Sequence, residues 1–150
     1  MKRALLLIMI AILFCMALIA KETVKSATDI AVLQEAKSQY DLGMVYYKGK
    51  DLPQDFKEAL RLFRQAAENG LPEAHTALGV MYRNGEGVEQ DPKEAMVLFK
   101  KAAEKGNPDA QFNIGIMHYA GEAGKVDFEE GAIWFKKAAE QGHVEAMENL

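Results

Sequence analysis

From residue 38 onward the apolar positions fall at helical spacing, and the whole pattern returns every 36 residues. Ala74, Leu78, Met81 and Tyr82 stand at i, i+4, i+7 and i+8, which is one stripe of an amphipathic helix. A second stripe, Ala95, Leu98, Phe99 and Ala102, follows after the turn Gly85-Glu86-Gly87-Val88. The marks of this unit recur in register as Gly43, Gly79 and Gly115, as Phe63, Phe99 and Phe135, and as Gly70, Gly106 and Gly142. Paired alanines at 66–67, 102–103 and 138–139 keep the same interval. A repeat of this length marks an array in which each unit buries its apolar face only against its neighbours. The pattern therefore predicts an all-α chain built as an α/α solenoid of three helix-turn-helix units with a partial fourth. Such a chain offers an extended surface before it offers a closed pocket, so binding is expected ahead of chemistry.

The ends of the helices are also written in the chain. Asp91-Pro92-Lys93-Glu94 places a capping aspartate, a proline suited to the first helical position and a glutamate to complete a capping box. Asp55 with Glu58 and Asp127 with Glu130 repeat the signature without the proline. Gly106 is placed as a left-handed C-cap. Gly79 lies inside a helix, where glycine costs about 1 kcal/mol relative to alanine. Its return at 43 and 115 points to close approach of a neighbouring helix. Residues 21–37 read as a lead-in, helical from about Thr28.

Ahead of the repeats, Lys2-Arg3 precedes a run from Ala4 to Ala20 without charge or strong polarity. That layout predicts a signal peptide or membrane anchor over residues 1–20, and hence a periplasmic or secreted location. Without Lys2 and Arg3, 16 basic residues face 22 acidic ones, a formal charge of −6. An acidic module is a poor match for nucleic acid or an anionic lipid surface. The single cysteine, Cys15, lies in the leader, so residues 21–150 carry neither a disulfide framework nor a thiolate metal site.

The pattern from Ala74 to Gly106, with Leu78-Gly79, Met81-Tyr82, Gly85, Gly87-Val88, Asp91, Ala95, Phe99 and Ala102-Ala103, resembles the Sel1-like repeat, a relative of the tetratricopeptide repeat. The resemblance covers residues 38–150, divided as 38–72, 73–108 and 109–144, with a partial unit or cap at 145–150. It implies right-handed superhelical α-hairpins and a scaffold or adaptor that binds other proteins. Cysteine-rich relatives linked to β-lactam binding have paired cysteines that this chain lacks, so that activity is not carried over. The third unit departs most from the pattern. It reads Gly121-Glu122-Ala123-Gly124 at its turn, has His118 in place of Tyr46 and Tyr82, and has Gly131 in place of Ala59 and Ala95. It is expected to be the least stable locally.

In the tetratricopeptide relatives the first helix of each pair lines the concave face. Carried over, that geometry places Tyr40, Met44 and Tyr47, then Thr76, Val80 and Arg83, then Phe112, Ile116 and Tyr119 on a partner-binding surface. Arg83 is expected between Tyr47 and Tyr119, available for cation–π contact or for a partner's carboxylate. An alternative use of the same face is glycan recognition, with Tyr40, Tyr47, Phe112 and Tyr119 stacked on sugar rings. A competing outcome is that these rings pack as core. Phe63, Phe99 and Phe135 are assigned to the core, and Trp134 to packing.

Catalytic chemistry finds little support. Ser26 and Ser38 lack a lysine three residues on, and His75, His118 and His143 lack a second ligand at helical metal spacing. Gly85-Glu86-Gly87 has no third glycine and no preceding strand, so it is not a dinucleotide loop. No catalytic, cofactor or metal residue is assigned, and the carboxylates are read as caps and solvated helix faces. The implied partner is a protein or peptide, with possible membrane anchoring through residues 4–20 and self-association through the C-terminal end.

Overall fold

Between Lys2 and Leu42 the chain contains neither glycine nor proline, and in a computed structural model of the protein this stretch belongs to one helix, α1 (Lys2–Lys48). The structure describes residues 2–122 and 124–150, with the backbone alone for residues 2–8, 10 and 11. The helical start expected near Thr28 is thereby corrected, because residues 21–27 carry no breaker and are helical too. The chain divides into two compact units, Met1–Glu35 and Ala36–Leu150. In the first, Ile12, Leu13, Phe14, Met16 and Ile19 are exposed. Among the described residues no helix is long and apolar enough to cross a membrane. Met1 of the leader and Ala123 of the third turn lie outside them.

Within the second unit, helices of equal length follow at fixed intervals: α2 (Phe56–Glu68), α3 (Pro72–Asn84), α4 (Pro92–Glu104), α5 (Pro108–Ala120) and α6 (Phe128–Glu140), then the short α7 (Val144–Glu148). Among the described residues there is no strand. Each helix packs on its neighbours in sequence, α2 on α3, α3 on α4, α4 on α5, α5 on α6 and α6 on α7. That sequential contact is what makes the unit a solenoid, as the repeat period predicts.

Phe63, Phe99 and Phe135 anchor successive layers and are fully or almost fully buried. Opposite each stands one of the recurring helical glycines. A Cβ at Gly79 would lie 2.6 Å from the Phe99 ring, and one at Gly115 the same distance from Phe135. The glycine is thus the slot that lets the paired helix bring its phenylalanine in. The close approach expected from sequence is present in all three units, since Gly43 meets Phe63 in the same way.

The second helix of each pair begins at an aspartate, as the caps predict. Asp55 and Asp91 each accept from two backbone N–H groups of the first turn, and Asp127 accepts from the Glu130 N–H. The reciprocal half of the capping box is a correction. The Asp91 N–H donates to the Tyr82 carbonyl at 2.8 Å, and Asp55 and Asp127 donate likewise to Tyr46 and His118. The turn folds back on the preceding helix, so a terminal carbonyl takes the proton intended for the glutamate. Glu58 instead pairs with Arg61, and Glu130 accepts from the Trp134 indole N–H. At the far end Gly106 adopts φ +84°, and the Asn107 N–H reaches back to the Ala102 carbonyl at 3.1 Å.

The third unit compensates for its irregularity. A Cβ at Gly131 would run into the Tyr119 ring, which occupies the space that Ala59 and Ala95 fill in the other units. Trp134 packs, half-buried, against the core around Phe99. Lys137 lies over its ring at 3.9 Å.

Candidate functional site

Residues separated by 36 positions sit side by side on adjacent first helices, so the face expected to bind is assembled from α1, α3 and α5. Tyr40, Met44 and Tyr47 of α1 and Thr76 and Val80 of α3 come together around a hollow of about 230 Å³. Phe63 forms its base, and Glu73, Ala77, Asp109 and Asn113 complete the wall. Five of the nine sequence-assigned residues thus meet in one place.

The tyrosines are neither free nor core. Tyr40 and Tyr47 lean on the Phe63 ring at centroid distances of 5.5 and 6.3 Å, and Tyr47 also meets Phe56 edge-on. Both stay half-buried. The Tyr47 hydroxyl donates to Glu86 Oε2 at 2.8 Å. Burial first, and then the Glu86 hydrogen bond and charge, push its pKa up to about 12. Tyr40 is raised as well, by burial and then by the charges of Glu73, Asp109 and Asp41. Thr76 is 8% exposed, and its hydroxyl lies 3.1 Å from Asn107 Oδ1 and 3.2 Å from the Pro72 carbonyl. It contributes a floor more than a contact.

The other four assigned residues go elsewhere. Arg83 is corrected most plainly: its guanidinium makes a two-pronged ion pair with Glu122, at 2.6 and 2.7 Å. The carboxylate expected from a partner is supplied by the next unit of the same chain. Phe112 stacks against His143 at 4.5 Å and tilts onto Phe135, so one of its faces is taken. Tyr119 leans on Phe128 and Phe135 beside Gly131 and remains 36% exposed. Ile116 is half-buried and does not line the hollow.

Sequence reasoning passed over the polar wall. Glu73 and Asp109 are the same register position in successive units, and Ala77 and Asn113 lie one turn further along. The interval of 36 aligns Glu73 and Asp109 with Lys37, one turn before the register of Tyr40 and Thr76. Acidic residues in the first turn of a helix, however, read by default as partners of its dipole. Asp109 also lies 3.3 Å from His143 Nε2. The Nδ1 atom of that ring accepts the Ala146 N–H, so Nε2 is the nitrogen that faces Asp109.

Known proteins bear on this arrangement. The Sel1 repeat model matches three consecutive segments, residues 36–71, 72–107 and 108–143. A Sel1 repeat protein from Oxalobacter formigenes is 36% identical with a TM-score of 0.70, over 74% of this chain and 45% of that one. The protective antigen c5321 of uropathogenic Escherichia coli, which displays an SLR fold, is 42% identical with a TM-score of 0.72. It covers 85% of this chain, which spans 27% of the antigen. Helicobacter pylori cysteine-rich protein B, at 21% identity and a TM-score of 0.64, covers 82% of this chain and 95% of its own and shares the fold. The chain thus spans less than half the length of the first two structures. Comparison with curated proteins gives no match.

Proposed function

The chain belongs to the Sel1 repeat family, and from that premise we propose that residues 36–150 act as an interaction scaffold that holds a segment of a partner protein against α1, α3 and α5. Proteins of this family are generally protein-interaction scaffolds. The observation that carries the reading here is the hollow itself. Tyr40, Met44, Tyr47 and Val80 are packed well enough to hold their shape and are left partly uncovered. Aromatic anchors of that kind are the usual centres of binding energy at protein surfaces. No catalytic role is included in the proposal.

We extend the reading to location: residues 1–20 direct export, after which the leader is either removed or kept as an inner-membrane anchor. The basic start, the apolar run and a cysteine-free chain beyond it support this. The mass of the N-terminal peptide from an envelope fraction checks it. A full-length chain recovered only from cytosol is inconsistent with it.

The scaffold reading is tested with a photo-crosslinking amino acid placed at Val80, in the hollow, or at Val97, exposed on α4. A discrete partner captured from Val80 and not from Val97 is the expected result. Equal capture from both sites, or none from Val80, overturns the reading.

A further inference from the structure

The hollow beside Tyr40 is apolar at its base and negative at its rim, and none of its lining residues is a lysine or arginine. Tyr40, Met44, Phe63 and Val80 supply the apolar part, and Glu73 and Asp109 stand on the wall. Asp41, exposed on α1, adds a third negative charge that the Tyr40 hydroxyl feels together with the other two. The basic-type group in contact with Asp109 is His143. Its Nδ1 accepts the Ala146 N–H and lies 3.5 Å from Glu145 Oε2, so a further carboxylate stands beside the same ring. Arg83, the cation nearest along α3, is taken up by Glu122.

Size narrows the guest. Small-molecule sites usually enclose about 300–1,000 Å³, and this hollow, at about 230 Å³, is below that range. It suits one long side chain. A lysine or arginine has an apolar stem to lie along Met44 and Val80, and a charged head to meet the carboxylates and the Tyr40 ring. The formal charge of −6 over residues 21–150 favours a cationic partner at long range as well.

We propose that the partner segment is basic, and that one of its lysine or arginine side chains inserts into the hollow between Tyr40 and the carboxylates of Glu73 and Asp109. The proposal rests on the scaffold reading and adds the chemistry of the occupant.

The test uses the full chain and three short peptides identical except for a central lysine, norleucine or glutamate. Each is titrated while the backbone amide signals of Ala77, Val80 and Asn113 are followed by NMR. The lysine peptide is expected to move these signals, with norleucine binding about tenfold more weakly and glutamate not at all. Glu73→Gln, which leaves the Asp109–His143 contact intact, should weaken the lysine peptide several-fold and flatten its salt dependence. Glu73→Gln with Asp109→Asn should weaken it further; both side chains are exposed, and circular dichroism verifies the fold. Equal binding of lysine and norleucine peptides, shifts outside the hollow, or no shift at millimolar peptide overturns the proposal. A partner crosslinked at Val80 through a segment without lysine or arginine also overturns it, while the scaffold reading stands.

Discussion

Arg83 and Glu122 make, one unit further along the chain, the contact that Tyr47 and Glu86 make before them. In each pair the side chain near the end of a first helix reaches 39 residues ahead to a glutamate in the following turn. The partners differ in chemistry and agree in place, so each unit is clasped to the next at the same point. The guanidinium donates through Nε and Nη2, and both members of the pair are about one quarter exposed.

Partial exposure limits what the Arg83–Glu122 clasp contributes. A pair open to solvent is worth about 0–1 kcal/mol, with a fork geometry toward the upper end. Arg83→Lys loses the second hydrogen bond, and the expected cost is about 1 kcal/mol or less in chemical denaturation. A double-mutant cycle with Glu122→Gln should return a coupling of the same size that fades in high salt. No coupling at low salt would show that the clasp is an incidental contact.

Gly79→Ala separates helix propensity from packing. On an exposed face the change would gain about 1 kcal/mol. Here the added methyl would stand 2.6 Å from a Phe99 ring that is fully buried. Overpacking of this kind costs about 1–3 kcal/mol, so a net loss of stability is expected. Phe99→Ala should be worse, at about 3–5 kcal/mol. A variant Gly79→Ala more stable than the parent would mean that the glycine is not the slot for the ring.

These two residues also explain which features were legible in the sequence. Gly79 and Phe99 both recur at 36 residues, so each announces the other, and the same regularity gave the caps at Asp55, Asp91 and Asp127. Glu73 and Asp109 recur as well, but a carboxylate in the first turn of a helix has an ordinary local explanation. Only the lateral placement of α3 beside α5 turns them toward Tyr40. Arg83 was legible as a surface cation and not as a clasp. Its partner, Glu122, lies in the third turn, where the glycine register breaks. The capping glutamates failed for a tertiary reason too, since the carbonyls they had to compete with come from the preceding helix.

The Tyr47 hydroxyl gives the fold an alkaline limit. Its pKa stands near 12 when folded, against about 10 in an unfolded chain. Below pH 10 neither state is ionised and the full contribution is present. As pH rises from 10 toward 12 the unfolded chain loses its proton first, and the contribution is lost across that window. Tyr47→Phe should therefore show a shallower fall in stability than the parent between pH 10 and 12. Identical slopes would mean that the hydroxyl does not hold its proton against Glu86.

Gly131 and Tyr119 form the last test, because they look like two separate defects and behave structurally as one. Gly131 interrupts the alanine seen at 59 and 95, and by propensity alone Gly131→Ala should stabilise α6 by up to about 1 kcal/mol. The Tyr119 ring fills the missing volume, so in the parent the new methyl collides with it. The ring is 36% exposed and free to swing outward, but doing so gives up its contacts with Phe128 and Phe135. Gly131→Ala alone is expected to be neutral or destabilising. In a Tyr119→Ala background the same change should stabilise, with a coupling within the range of about 0.5–3 kcal/mol found for touching residues. Additive effects in the two backgrounds would mean that Tyr119 does not occupy the space at Gly131. The third unit would then be the weak point that its irregular sequence suggests, and amide hydrogen exchange should be fastest in α5 and α6.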